Sequence, residues 1–172
     1  MQFLAIVVLC VLAAVMYGIL HDQVTARICV EYFTIGHAPI LGTDDPTLLG
    51  LGWGVLATWW VGVMLGVPLA MVARLGKWPK RNAGSLIKPL IVLMVVSALC
   101  ALVAGMIGAW LGSAGVAVLP RPLADEVPAP KHTAFIADSF AHNASYLAGF
   151  VGGGIVIAWV WVRRVREAGK PE

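Results

Sequence analysis

A chain of 172 residues suits one soluble domain or a small membrane bundle, and 60% apolar against 12% charged residues decides for the bundle. A soluble globule of this length has no interior large enough to hide so much apolar surface. A net charge of +3 without a basic stripe excludes a nucleic-acid binder, and three cysteines make no disulfide framework.

The first apolar run, Phe3 to Leu20, contains no Asp, Glu, Lys, Arg or His. Met1-Gln2 is not a basic leader and no small-x-small cleavage site precedes His21, so the run reads as a retained span rather than a signal peptide. Residues 21–47 then form a loop too apolar to be freely solvated. Asp22 is placed to cap a short helix that Gly36 and Pro39 would end. Val24, Ile28, Tyr32 and Ile35 would share its apolar face, lying at the membrane interface or across the mouth of the bundle. Pairing as a strand through Ile28, Val30 and Tyr32 is the alternative. On such a helix Arg27 and Glu31, four apart, are expected to pair. Cys29 has no partner, since Cys10 and Cys100 fall within apolar runs, and it reads as a packed small side chain.

The second run, Leu48 to Val72, carries Pro68 near its end as a candidate kink. A short basic loop, 73–88, leads to the third run, Pro89 to Leu111. Residues 112–144 form a second long loop, proline-rich and irregular from Pro120 to Pro130. In it Asp138 and His142 are four apart, one helical turn, so the carboxylate is expected to hydrogen-bond the imidazole at the entrance of the fourth run, Ser145 to Val162. At about 1.5 Å per residue even the shortest run reaches roughly 27 Å, close to the hydrocarbon thickness. The fold class expected is therefore all-α, a polytopic membrane four-helix bundle in one domain, with two long external loops, the first partly helical at the interface.

Charge sets the expected topology. Arg74, Lys77, Lys80, Arg81 and Lys88 lie between the second and third runs, and Arg163, Arg164, Arg166 and Lys170 follow the fourth, with only Glu167 and Glu172 beside them. The other two loops hold Arg27, Arg121 and Lys131 against seven acids. Positive-inside places both termini, loop 73–88 and tail 163–172 in the cytoplasm, and loops 21–47 and 112–144 outside. Small residues recur four apart, notably Gly62 with Gly66, the row ending at Gly105, and Gly149 with Gly153. They predict close helix packing within the chain or with a second copy. The tryptophans read as interfacial belts. No ionisable residue falls inside the four runs, which argues against a proton-coupled transporter, an ion pump or a haem held between spans.

All four histidines fall on the expected outer side, and chemistry is sought there. The candidate site combines His21, Asp22, Glu31 and His37 of the first loop with Asp138 and His142 of the second. Imidazoles and carboxylates together suit a transition metal such as zinc, iron, manganese or copper. No spacing of the His-Glu-x-x-His kind supports it.

Three stretches carry a resemblance: Tyr17 to His37, the turn Gly42-Thr43-Asp44-Asp45-Pro46-Thr47, and Ala57-Thr58-Trp59-Trp60-Val61-Gly62, joined by His142-Asn143-Ala144-Ser145-Tyr146. They resemble a group of uncharacterised small bacterial membrane proteins. The resemblance implies an inner-membrane location and no particular activity. The residues leave two leading functions, a membrane protein binding a metal or small ligand at its outer face, and an accessory subunit packing with partner helices. A passive oligomeric channel stands third.

Overall fold

The computed structural model describes residues 1–169, and Lys170 and Glu172 of the expected tail lie outside the described residues. The chain is all helical: α1 Gln2–Ile28, α2 Val30–Thr34, α3 Pro46–Leu56, α4 Trp59–Arg74, α5 Ile87–Ser113, α6 Leu123–Glu126 and α7 His132–Ala168. Short 3-10 turns, Gly84–Leu86 and Ala129–Lys131, lead into α5 and α7. Four stretches are long and apolar enough to cross a membrane: Gln2–Ile28, Pro46–Arg74, Ala83–Ser113 and Ala129–Ala168. A helix satisfies its own backbone groups, which is what lipid requires of an open chain. Rows of exposed apolar side chains, such as Leu4, Val8, Leu12, Met16 and Leu20 along α1, face the surroundings as lipid contact demands. The fold is a four-helix bundle of the kind a multi-pass membrane protein has.

The helices overrun the apolar runs. Residues 21–28 hold neither glycine nor proline, so α1 continues through Asp22 and breaks only at Cys29, whose backbone is extended (φ −146, ψ 97). This corrects the expectation that Asp22 caps a separate helix: its side chain lies in a helix interior and is buried. Val24 and Ile28 are exposed while Tyr32 and Ile35 pack inward, so the four do not form one face. At the other end α7 begins at His132, well before the fourth apolar run, and carries Asp138, His142 and Arg164 on one continuous rod.

The second crossing is broken where no break was expected, at Ala57 and Thr58, between α3 and α4. Three glycines, Gly50, Gly52 and Gly54, weaken the helix before it. The Thr58 hydroxyl donates to Gly54 O, and the Ala57 carbonyl accepts from the phenol of Tyr146 on α7 at 3.2 Å. The freed backbone groups are thus satisfied by side chains. Helix α4 continues through Pro68 to Arg74. Asp45 caps α3, its carboxylate accepting from the backbone N–H of Thr47 and Leu48 at 2.9 Å.

Two close pairs form the bundle, α1 against α3 and α4, and α5 against α7, with fewer contacts between the pairs. Glycine sets the spacing. A Cβ on Gly62 would lie 2.5 Å from the Val11 Cα and one on Gly66 2.9 Å from the Cys10 Cβ, so α1 and α4 touch nearly backbone to backbone. A Cβ on Gly105 would lie 3.5 Å from that of Ala141, and one on Gly153 would meet Leu65 at 2.7 Å. Gly149 is different: among the described residues nothing stands within 4 Å of a Cβ there, so it packs on no helix of its own chain.

Each end is closed differently. At the arginine end Ile6, Leu69, Ala73, Leu86 and Val160 pack together, and Arg164 is buried among carbonyl oxygens. At the histidine end the loops fold inward. Cys29, Leu119, Val127, Phe135 and Ile136 form one apolar cluster, and Ala26, Phe33 and Leu49 another, so α2 docks across the bundle.

Candidate metal centre

Helix α1 contributes His21 and Asp22 to the space between the pairs, and α7 contributes His142 and Ser145. His21, Asp22 and His142 each offer one ligand atom, and these atoms lie within 4.8 Å of one another. The group is buried, with side-chain exposure of 11% for His142 and 6% for Asp22.

Hydrogen bonds fix what each ring presents. His142 Nδ1 lies 2.8 Å from the backbone carbonyl of Asp138, which only accepts, so Nδ1 carries the proton. In the neutral ring Nε2 then bears a lone pair, and it faces the Asp22 Oδ1 at 3.2 Å. Two electron-pair donors at that distance call for a proton or a cation between them. His21 supplies a third donor: its Nε2 is buried without a hydrogen-bond partner, while its Nδ1 makes a long 3.5 Å contact with the Ser145 hydroxyl. Ser145 is held in turn by the Tyr17 phenol at 2.8 Å. A ring nitrogen engaged by an outer partner, with the other nitrogen left free, is how metal-ligating histidines are oriented. Stacking completes the support, with Tyr17 at 5.8 Å from His21, Tyr32 at 4.4 Å from His142, and the two imidazoles edge to face at 4.5 Å.

Two imidazole nitrogens and a carboxylate oxygen make a donor set that fits zinc or another divalent transition ion, with bonds of about 2.0–2.2 Å. Three protein ligands leave at least one coordination position open.

The other candidate residues stand apart from this trio. Glu31 accepts from the Cys29 thiol at 3.4 Å and lies 3.8 Å from the Lys131 ammonium. Arg27 does not pair with it but donates to Gln23 and Thr47. His37 donates its Nδ1 proton to the Tyr32 carbonyl at 2.8 Å and packs on Trp53. Asp138 touches His142 through its backbone carbonyl, not through its carboxylate as expected. That carboxylate is buried, and its Oδ2 has no partner. Burial pushes the Cys29 thiol up to about 11, so it stays protonated and donates to Glu31. The supporting residues Tyr17 and Ser145 escaped the sequence reading, although Tyr17 lies one turn before His21 and Ser145 one turn after His142 on the same faces.

Below the trio a cavity of about 150 Å³ runs between the helix pairs. Its upper part is lined by Tyr17, Thr58, Ser145 and Tyr146, under a roof of Tyr32, Phe33, His37 and Trp53. Its lower part is apolar, with Leu65, Leu69, Leu90, Leu93, Val156 and Ile157. Ala13, Ala14, Gly18, Gly62 and Gly149 line it with little or no side chain.

Comparison of the chain with protein-family models, with curated proteins and with solved structures finds no match. Four long apolar helices and a buried His-Asp-His group are thus the features from which function must be argued.

Proposed function

We propose that this multi-pass membrane protein holds a divalent transition metal between α1 and α7, bound by His21 Nε2, Asp22 Oδ1 and His142 Nε2, with an open position facing the cavity. One observation carries the reading: the Asp138 carbonyl accepts from His142 Nδ1–H, which in the neutral ring leaves the Nε2 lone pair facing a carboxylate oxygen at 3.2 Å, beside an unpartnered His21 nitrogen. A bound ion satisfies all three groups at once. Of the six residues considered from sequence, Glu31, His37 and the Asp138 carboxylate fall outside the ligand set. The excess of Lys and Arg at the opposite end supports an orientation with the metal toward the outside and both termini in the cytoplasm. The resemblance to small bacterial membrane proteins supports the inner membrane as its place.

The test is elemental analysis of the full chain purified in detergent without added chelator. About one zinc, iron, manganese or copper per chain is expected, falling by roughly tenfold or more in His21→Ala, Asp22→Asn and His142→Ala, as loss of a ligand does. Glu31→Ala and His37→Ala should keep their metal. Equal metal content in all five variants would overturn the assignment.

A further inference from the structure

The cavity under the trio has the shape and chemistry of a site for one hydrocarbon chain. Cys10 and His21 both line it, and the helical rise of about 1.5 Å per residue sets them roughly 16 Å apart along α1. A volume of about 150 Å³ drawn out over such a length describes an elongated tube, a shape that suits one extended hydrocarbon chain. The wall explains the width. Gly149 has nothing within 4 Å of a Cβ position, so the tube occupies the space its side chain would fill. Hydroxyls of Tyr17, Ser145 and Tyr146 gather at the top near the trio, and the rest of the lining is mainly apolar, with the Ser97 hydroxyl set among leucines and Met94. Tyr32, Phe33 and Trp53 roof the end near the trio.

We propose that this tube binds a single-chain fatty acid from the bilayer, its methylenes beside Gly149 and Leu93 and its carboxylate at the open position of the metal. The head assignment rests on the metal reading above, whereas the chain assignment rests on the tube alone. A carboxylate suits a divalent ion whose protein ligands carry only one negative charge, and burial of the methylenes drives the chain into the apolar end.

The test uses the full chain in lipid nanodiscs, loaded with cobalt(II) as a visible probe, and titrated with dodecanoate, acetate and dodecanol. Dodecanoate is expected to shift the cobalt absorption with saturation at one per chain, while acetate and dodecanol at the same concentrations leave it unchanged. Gly149→Leu puts a side chain into the tube from a position where its Cβ meets nothing within 4 Å among the described residues. It should keep its cobalt yet need at least about tenfold more dodecanoate, since several methylenes lose their burial. Ala14→Leu, from the opposite wall, should do the same. Equal shifts by acetate and dodecanoate, or no effect of either leucine, would overturn the chain site. Should the protein take up no cobalt, the metal reading falls by itself. Radiolabelled dodecanoate retained by the wild type and lost in Gly149→Leu would then still uphold the tube, and retention equal in both would sink it.

Discussion

His142 and Asp22 define each other's state, and neither does so through its neighbours in sequence. The imidazole is oriented by a carbonyl one turn back on its own helix, and the lone pair it frees falls on a carboxylate 120 residues away. Burial rather than sequence context decides the behaviour of Cys29 as well. Its side chain has no exposed surface and its thiol is held up to about 11, so at pH 7.5 it should resist maleimide in the folded protein and react after denaturation, as followed by mass spectrometry. Rapid labelling of the folded chain would contradict this. Arg164 is the other buried polar residue with a single task. Its guanidinium donates to the carbonyls of Val72, Leu75, Trp78 and Pro79, closing the end of α4. Arg164→Ala leaves four carbonyls unpaired and is expected to cost roughly 3 kcal/mol in denaturant unfolding of the detergent-solubilised protein. Arg164→Lys should recover only part of it, because an ammonium lacks the planar fork.

Between helices, the glycines sort into those that touch and those that leave space, a distinction invisible in a four-residue repeat. Gly62 lies against the backbone of α1, so Gly62→Ala must push α1 and α4 apart, at about 1–3 kcal/mol. Gly149→Ala points into the tube and should leave the unfolding midpoint within about 0.5 kcal/mol of wild type or slightly above it. Comparable losses in both would show that Gly149 packs as closely as Gly62 does. The break between α3 and α4 also draws on a neighbouring helix, since the Ala57 N–H still donates to Trp53 while its carbonyl takes a donor from Tyr146. Tyr146→Phe removes that donor, and about 1 kcal/mol is expected to go with it.

Across the entire fold, two tightly paired units lean together over a narrow cavity, and the trio clasps them at one end. A metal that binds only the folded arrangement stabilises it by mass action, about 2.7 kcal/mol when free metal is 100 times the Kd. Chelation should therefore lower the thermal midpoint and speed hydrogen exchange in residues 18–24 and 139–146, with recovery on adding metal back. A midpoint indifferent to chelator and to added metal would sink the clasp.

Four crossings and an all-helical fold were legible in the chain because they answer a local demand: an apolar run in lipid must satisfy its own backbone. The gathering of histidines at one end was equally plain, since all four lie in the two long loops that an even number of crossings brings to the same end. Helix ends were less so. No local signal separated the last turns of α1 from its apolar part, and the break after Leu56 depends on a phenol that arrives from α7. Which candidates meet was a matter for the tertiary structure alone. Six residues qualified by type, and three converge, because the rotation of each rod about its axis is set by where glycines let backbones touch. That rotation turns Asp22 toward His142 and leaves Glu31 to Lys131.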